Sequence, residues 1–194
     1  MAETRVQDSG RQRILQSAIE LFARQGYSAT SVRQIAKAAG VSPSLLYNYF
    51  DGKETLLGAI FLESVAQVQA SLEAAAGGAG RPERVEHLVR GAFTAVRERL
   101  PFWRVLYRLR GEPEVIAGLG EHLRVWTDSV RDSIEALLQD SGSANPRLEA
   151  LALFGAIDGV AQHFALDPES YPLDEVADAL VRRFAPAGAG APTS

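Results

Sequence analysis

Residues 30–53, TSVRQIAKAAGVSPSLLYNYFDGK, admit few folds. Val32, Ile35, Ala36 and Ala39 repeat at helical spacing. Thr30 or Ser31 can cap the start of that helix, and Ser31 with Gln34 fits a capping box. Gly40 follows the last turn, where positive φ is wanted and glycine adopts it without a steric penalty. Val41 then returns an apolar contact to the core. Ser42 is a second N-cap, and Pro43 sits at the first helical position, where its missing N–H costs nothing. The helix that follows, about 43–49, is too short to stand alone in water. Leu46 and Phe50, four apart, pin it inward. Ser44, Leu45, Tyr47, Asn48 and Tyr49 are left on or near its outer side.

That outer side suits a duplex. The major groove of B-DNA admits one α-helix, and hydroxyls, amides and N-terminal backbone N–H groups match phosphates and base edges. A helix-turn-helix uses this geometry with its second helix in the groove. The sequence here resembles the TetR-type family of bacterial transcriptional repressors. The resemblance is carried by a helix over 14–22 ending at Gly26 and Tyr27, by Thr30, by IAKAAGVS at 35–42, by LYNYF at 46–50, and by Lys53 with Leu56. Together these motifs say more than a bare helix-turn-helix pattern, because many enzymes contain two short helices around a glycine.

Composition sets the bounds. The chain has 194 residues, room for one large or two small domains, and 46% of them are hydrophobic, enough for a sizeable core. There is no cysteine, so neither a disulfide nor a thiolate metal site. The N-terminus MAETRVQDSGRQR holds no apolar signal segment, and no run approaches the roughly 18 apolar residues of a membrane helix. A cytoplasmic protein without a membrane partner is expected. Net charge is −4, which argues against nucleic acid until its distribution is read. Through Leu56 there are seven Lys/Arg against five Asp/Glu, a net of +2; the remainder has 13 against 19, a net of −6. A modestly basic head on an acidic body is compatible with DNA, since the local field acts near phosphates.

The rest of the chain reads as helices. Residues 1–9 look like a loose tail, with Arg5 the one side chain there that could touch a phosphate. Over 11–25, Ile14, Leu15, Ala18, Leu21 and Phe22 form one apolar face. Asp51 and Glu54 are candidate caps for a long helix over 53–76 that joins head to body as a lever. GGAGRP at 77–82 is a loop. Helices follow over 84–99, 101–110, 115–138, 148–166 and 173–184, with GlyGluPro at 111–113 as an interruption and SGSANP at 141–146 as a loop. Gly118 and Gly120 should fray or kink the start of the 115–138 helix. The 148–166 helix is apolar nearly all round, with Gly155 and Gly159 four apart, and should be buried on several sides. The tail 186–194 is expected to be disordered. No strand pattern of useful length appears.

Phosphate candidates are Thr30, Ser42, Ser44, Tyr47, Tyr49 and Lys53. The resemblance implies that Tyr47 and Lys53 meet the DNA backbone; without it, Tyr47 reads equally as core and Lys53 as a solvated charge. A lysine at a helix start is disfavoured by the helix dipole, which suggests an anion nearby. Arg33, Pro43, Leu45 and Asn48 are base-edge candidates: Arg suits guanine, Asn adenine, and apolar groups the thymine methyl. Family members often carry Lys or a small residue where Pro43 and Ser44 stand, so the readout at those positions departs from the pattern.

In the body, Trp103, Leu106, Tyr107, Arg110 and Trp126 form an aromatic cluster with one cation. As core they need no further explanation. The resemblance implies instead an effector pocket, to which Phe61 and Phe93 would also contribute. Arg110 could meet an anionic ligand or pair with Glu112 or Glu114. His87, His122 and His163 lack ligand spacing, so no metal is expected. His163 reads as a satisfied interior or interface residue, and Asp158, a carboxylate in apolar surroundings, needs a partner. The resemblance also implies that the last two helices pair with their symmetry mates. Leu151, Gly155, Asp158, Gly159, Gln162, His163, Val176 and Leu180 would then lie at the interface.

The expectation is an all-α protein: a three-helix helix-turn-helix DNA-binding domain at 1–51, a helical ligand-binding and dimerisation domain at 52–185, and a tail at 186–194. It would act as a homodimeric repressor on a palindromic double-stranded operator, released by a small molecule. The alternative is a helical ligand-binding or structural protein without DNA binding. No phosphate loop, GxSxG or HExxH supports an enzyme, and no cofactor is called for.

Overall fold

The computed structural model describes residues 2–77, 80–111, 113–140 and 142–185, with side chains from Gly10 onward except at 67, 71, 75, 76, 113, 114, 116 and 117. The 186–194 tail, the Arg5 side chain and the carboxylates of Glu112 and Glu114 lie outside what is described. Every described element is a helix, so the fold is all-α. In chain order they are α1 (Ala2–Gln25), α2 (Val32–Ala38), α3 (Pro43–Tyr49), α4 (Lys53–Ala76), α5 (Arg81–Glu98), α6 (Leu100–Leu109), α7 (Pro113–Asp140), α8 (Pro146–Leu166) and α9 (Leu173–Phe184).

Two compact units emerge. One comprises residues up to 64 together with 100–121; the other comprises 65–99 and 122–194. In the first, α1 packs against α2, α3 and α6. Its buried stripe is Ile14, Leu15, Ala18, Leu21 and Phe22, the face expected from periodicity, with Ile19 added. In the second, α5 packs against α8 and α9, and α8 against α9. Arg90 reaches Asp178 and Arg97 reaches Asp174, each at 2.8 Å, which ties α5 to α9. The Arg90 guanidinium is held above its ordinary pKa, first by its hydrogen bond to Glu86 and then by the one to Asp178.

Several boundaries differ from the sequence reading for identifiable reasons. Helix α1 starts at Ala2, so residues 2–9 continue the helix instead of forming a loose tail. Helix α5 begins at Arg81 because Pro82 fits the first turn, where no N–H is needed. Helix α7 starts at Pro113 and runs as continuous helix through Gly118 and Gly120, which therefore do not fray it. At the start of α4 neither Asp51 nor Glu54 is the cap. Thr55 Oγ1 accepts from the Gly52 N–H (3.2 Å) and donates to the Gly52 carbonyl (3.0 Å). Glu54 instead accepts from the Tyr27 hydroxyl (3.2 Å).

One helix departs from the expectation that no run could span a membrane. Lys53–Ala74 of α4 is long and apolar enough to cross a bilayer by length and mean hydropathy, 1.3. Half of that segment is buried inside the protein. Leu56, Leu57, Ile60, Phe61, Val65, Val68 and Leu72 face inward, so the apolar run serves as core.

Candidate functional site

Local chemistry builds α2 and α3 as their residues require. Ser31 is the N-cap of α2 and forms the full capping box: its Oγ accepts from the Gln34 N–H (3.3 Å), and Gln34 Oε1 accepts from the Ser31 N–H (2.8 Å). The helix ends at Gly40, whose φ is +64°. Val41 donates back to the Ala36 carbonyl (3.0 Å), the six-to-one closure that left-handed glycine permits. Ser42 caps α3 by accepting from Leu45 N–H (3.1 Å), with Pro43 in the first turn. Leu46 is fully buried and Phe50 nearly so, and these two side chains anchor α3 inward. A second left-handed glycine, Gly26 at φ +91°, turns the chain out of α1.

One face of α2 and α3 is left to solvent. Arg33, Ser42, Pro43, Ser44, Leu45 and Asn48 are exposed, and Tyr47 keeps 53% of its surface. Ser42 still has its O–H to donate although its oxygen caps the helix. Lys37 is exposed one turn after Arg33 and adds a cation to the same face. Sequence reasoning missed Lys37, whose signal was its i,i+4 spacing from Arg33.

Three candidates sit differently. Thr30 is only 2% exposed; its hydroxyl donates to the Gly26 carbonyl (2.7 Å) and accepts from Gln25 Nε2 (3.1 Å). It therefore closes the turn between α1 and α2 and is not presented to a phosphate. Tyr49 is half-buried, with its ring against α1 near Gly10. Lys53 is half-buried too: Nζ donates to the Tyr27 carbonyl (3.0 Å) and lies 4.5 Å from the Tyr27 ring centroid. The carbonyl and the ring face explain a lysine at a helix start without any external anion. Two of its three N–H donors remain for one.

The aromatic cluster of the body is a chain of contacts inside the first unit. Phe61 meets Phe102 at 6.2 Å, Phe102 meets Trp103 at 5.1 Å, Trp103 meets Tyr107 at 5.9 Å, and Arg110 lies over Tyr107 at 4.8 Å. Phe61, Trp103, Leu106 and Tyr107 are buried, whereas Arg110 is exposed. Phe102 was missed, although it shares a helical face with Leu106 and Leu109. Phe93, buried, and Trp126, half-buried, belong to the second unit.

Within the single chain, helix α8 is buried on one side, where burial on several sides was expected. Leu153, Ala161, Phe164 and Ala165 are inside, but Leu148, Leu151 and Leu166 are 43–60% exposed. A Cβ placed on Gly155 or Gly159 would meet nothing within 4 Å. Asp158, Gly159, Gln162, Val176 and Leu180 are intermediate in exposure. His163 is exposed and stacked on Tyr171, with ring centroids 6.2 Å apart and planes 3° from parallel, so it is not an interior residue.

This geometry is a helix-turn-helix with a polar outer face on a helical body. Residues 14–60 match the family model of bacterial regulatory proteins, tetR family. That head is the one of the TetR family. Among relatives, the HTH-type transcriptional regulator AcrR of Shigella flexneri is 29% identical over 180 residues, 86% of this chain and 83% of that one. A TetR-like transcriptional regulator from Rhodococcus sp. RHA1 is 26% identical, with a TM-score of 0.72 over 89% of this chain and 92% of that one. The transcriptional regulator FadR from Bacillus subtilis, solved in complex with stearoyl-CoA, shares the fold at TM-score 0.74 and 23% identity, covering 89% of this chain and 96% of that one. This TetR-family chain is thus a DNA-binding transcriptional regulator and not an enzyme.

Proposed function

We propose that the protein is a homodimeric cytoplasmic repressor that holds a palindromic operator through two copies of α3 and is released by a small, largely apolar effector. In this reading residues 1–51 meet DNA, residues 52–185 carry effector binding and dimerisation, and the tail at 186–194 takes part in neither. The observation that carries it is the α2–α3 face. Seven residues of α3 are held inward by Leu46 and the Phe50 cap, while Ser44, Tyr47 and Asn48 stand outward beside Arg33 and Lys37. Hydroxyl, phenol and amide groups on one face, flanked by cations, are the chemistry that phosphates and base edges select.

We place the effector site in the first unit, among Phe61, Trp103, Leu106, Tyr107 and Arg110. Apolar walls with few polar groups suit an acyl-like or aromatic ligand. The stearoyl-CoA in the Bacillus subtilis FadR structure supports that class. Dimerisation is placed on the open face of α8, with Val176 and Leu180 of α9 beside it. Exposed leucines next to two glycines allow close helix approach, and an isologous interface matches a palindrome.

The test is a titration against the duplex upstream of the protein's own gene. Affinity should exceed that for a scrambled duplex by about a thousandfold or more at physiological salt. Equal affinity for the two would sink the reading.

A further inference from the structure

Beside the start of α7, the first unit holds a cavity of about 210 Å³. Its described lining is Tyr27, Glu54, Leu57, Val115, Gly118 and Leu119, all within that unit. Three stretches of chain build it. Tyr27 follows the left-handed Gly26 that turns the chain out of α1. Glu54 and Leu57, three apart, share a face of α4, and Val115, Gly118 and Leu119 share one of α7. Leu57 and Leu119 are buried and Val115 is half-buried, which makes that part of the lining apolar. On the α7 side the wall is open: a Cβ on Gly118 would meet nothing within 4 Å.

Glu54 is the one charged group among these described lining residues. Its carboxylate is held in place, because the hydroxyl of the buried Tyr27 donates to Oε1 at 3.2 Å. The Tyr27 ring is fixed in turn by Phe22, with centroids 5.0 Å apart, and by Lys53 Nζ, 4.5 Å from its centroid. That lysine, the cation next to Glu54 in sequence, donates to the Tyr27 carbonyl and is not in the lining. A carboxylate offers about four acceptor sites and the phenol takes one, so Glu54 keeps acceptors for a ligand. We propose that this cavity binds a small apolar primary amine, its ammonium donating N–H to Glu54 and its body lying against Leu57, Val115 and Leu119. A carboxylate rewards a donor that carries positive charge over a neutral one, and it repels an anion. The volume lies below the ~300 Å³ at which sites for drug-sized molecules begin, so the ligand is small. The site shares no residue with the proposed effector cluster and does not depend on it.

The experiment uses the full chain, isotope-labelled, and follows its amide signals in solution as benzylamine, a cation at neutral pH, is added. Benzylamine should shift the amides of Tyr27, Glu54, Gly118 and Leu119 and saturate with a Kd of about 1 mM or lower. Benzyl alcohol, with the same ring and no charge, should bind about tenfold more weakly or worse. Benzyltrimethylammonium keeps the charge but has no N–H to donate, and it should lose at least about fivefold. Glu54→Gln can still accept from the Tyr27 hydroxyl but removes the charge. It should weaken benzylamine by about tenfold or more at an unchanged melting temperature. Gly118→Leu fills the cavity from its open side. It should abolish binding without lowering the melting temperature, since leucine favours a helix where glycine does not.

Equal affinity for benzylamine and benzyl alcohol, or a benzylamine affinity that survives Glu54→Gln, would take the carboxylate out of the site. Binding that survives Gly118→Leu, or shifts confined to the aromatic cluster, would place the amine elsewhere and overturn the assignment. A quaternary ammonium bound as tightly as the primary amine would overturn the class of ligand. No shift in the wild type at about 10 mM benzylamine would overturn the site itself.

Discussion

Leu46 and Tyr47 are neighbours on α3 with opposite surroundings. Leu46 is fully buried, and Tyr47 keeps 53% of its surface. Tyr47→Phe removes one exposed hydroxyl and keeps the ring, so stability should move by less than about 0.5 kcal/mol. If that hydroxyl donates to a phosphate, the bond is to a charged group and its loss costs about 1.5–3 kcal/mol. That is roughly 10- to 150-fold in affinity per head. A neutral donor displaces no counterion, so the dependence of affinity on salt should keep its slope. Leu46→Ala has the reverse signature: it opens a cavity under α3 and should cost about 2–5 kcal/mol of folding stability. Fluorescence-anisotropy titrations at several salt concentrations, beside thermal melts of the same preparations, separate the two. A Tyr47→Phe protein with wild-type affinity would refute the placement of this face on DNA. So would one whose loss of binding merely follows a loss of stability.

Other perturbations read other parts of the account. Lys53→Ala should flatten the salt slope by about one unit, as expected for one lost phosphate contact. It should also lower the melting temperature, because Nζ holds the Tyr27 carbonyl; an unchanged slope would confine Lys53 to that structural role. Trp103→Ala removes a buried aromatic and should cost about 3–5 kcal/mol. If the protein still folds, it should bind operator normally and respond poorly to an acyl-CoA probe, whereas an unaltered response would take Trp103 out of the effector site. Gly159→Arg places a cation on the open face of α8, where the single chain offers no obstruction. Sedimentation should then show a monomer with weakened operator binding, and a stable dimer would remove Gly159 from the interface.

How much of this was legible depended on the range of the forces involved. The caps at Ser31 and Ser42, the proline in the first turn of α3 and the left-handed Gly40 are decided within a few residues, and the structure holds each as expected. The burial of Thr30 and the internal partner of Lys53 escaped the sequence for one reason. Their polar atoms are claimed by the Gly26 and Tyr27 carbonyls, and those meet them only after the chain has turned. Thr55 displaced Asp51 as the cap of α4 because the reciprocal bond with Gly52 needs a short hydroxyl at the third helical position. The apolarity of α8 was visible, but not which side of it α5 and α9 would cover. Arg11 and Arg108 carried no local signal at all. Their partners, the Glu63 carboxylate and the Ala23 carbonyl, are 52 and 85 residues away in the chain, and nothing in periodicity or capping marks an arginine that will reach a distant carboxylate or carbonyl.

The central claim is that two α3 helices of a dimer read two half-sites. Selection from a random duplex library, followed by footprinting of the enriched sequence with the purified protein, tests it directly. The account expects an inverted repeat, with two protected patches on one side of the duplex whose centres lie about 34–36 Å apart or a multiple of that. A single protected patch, or a library that remains random after selection, would contradict it.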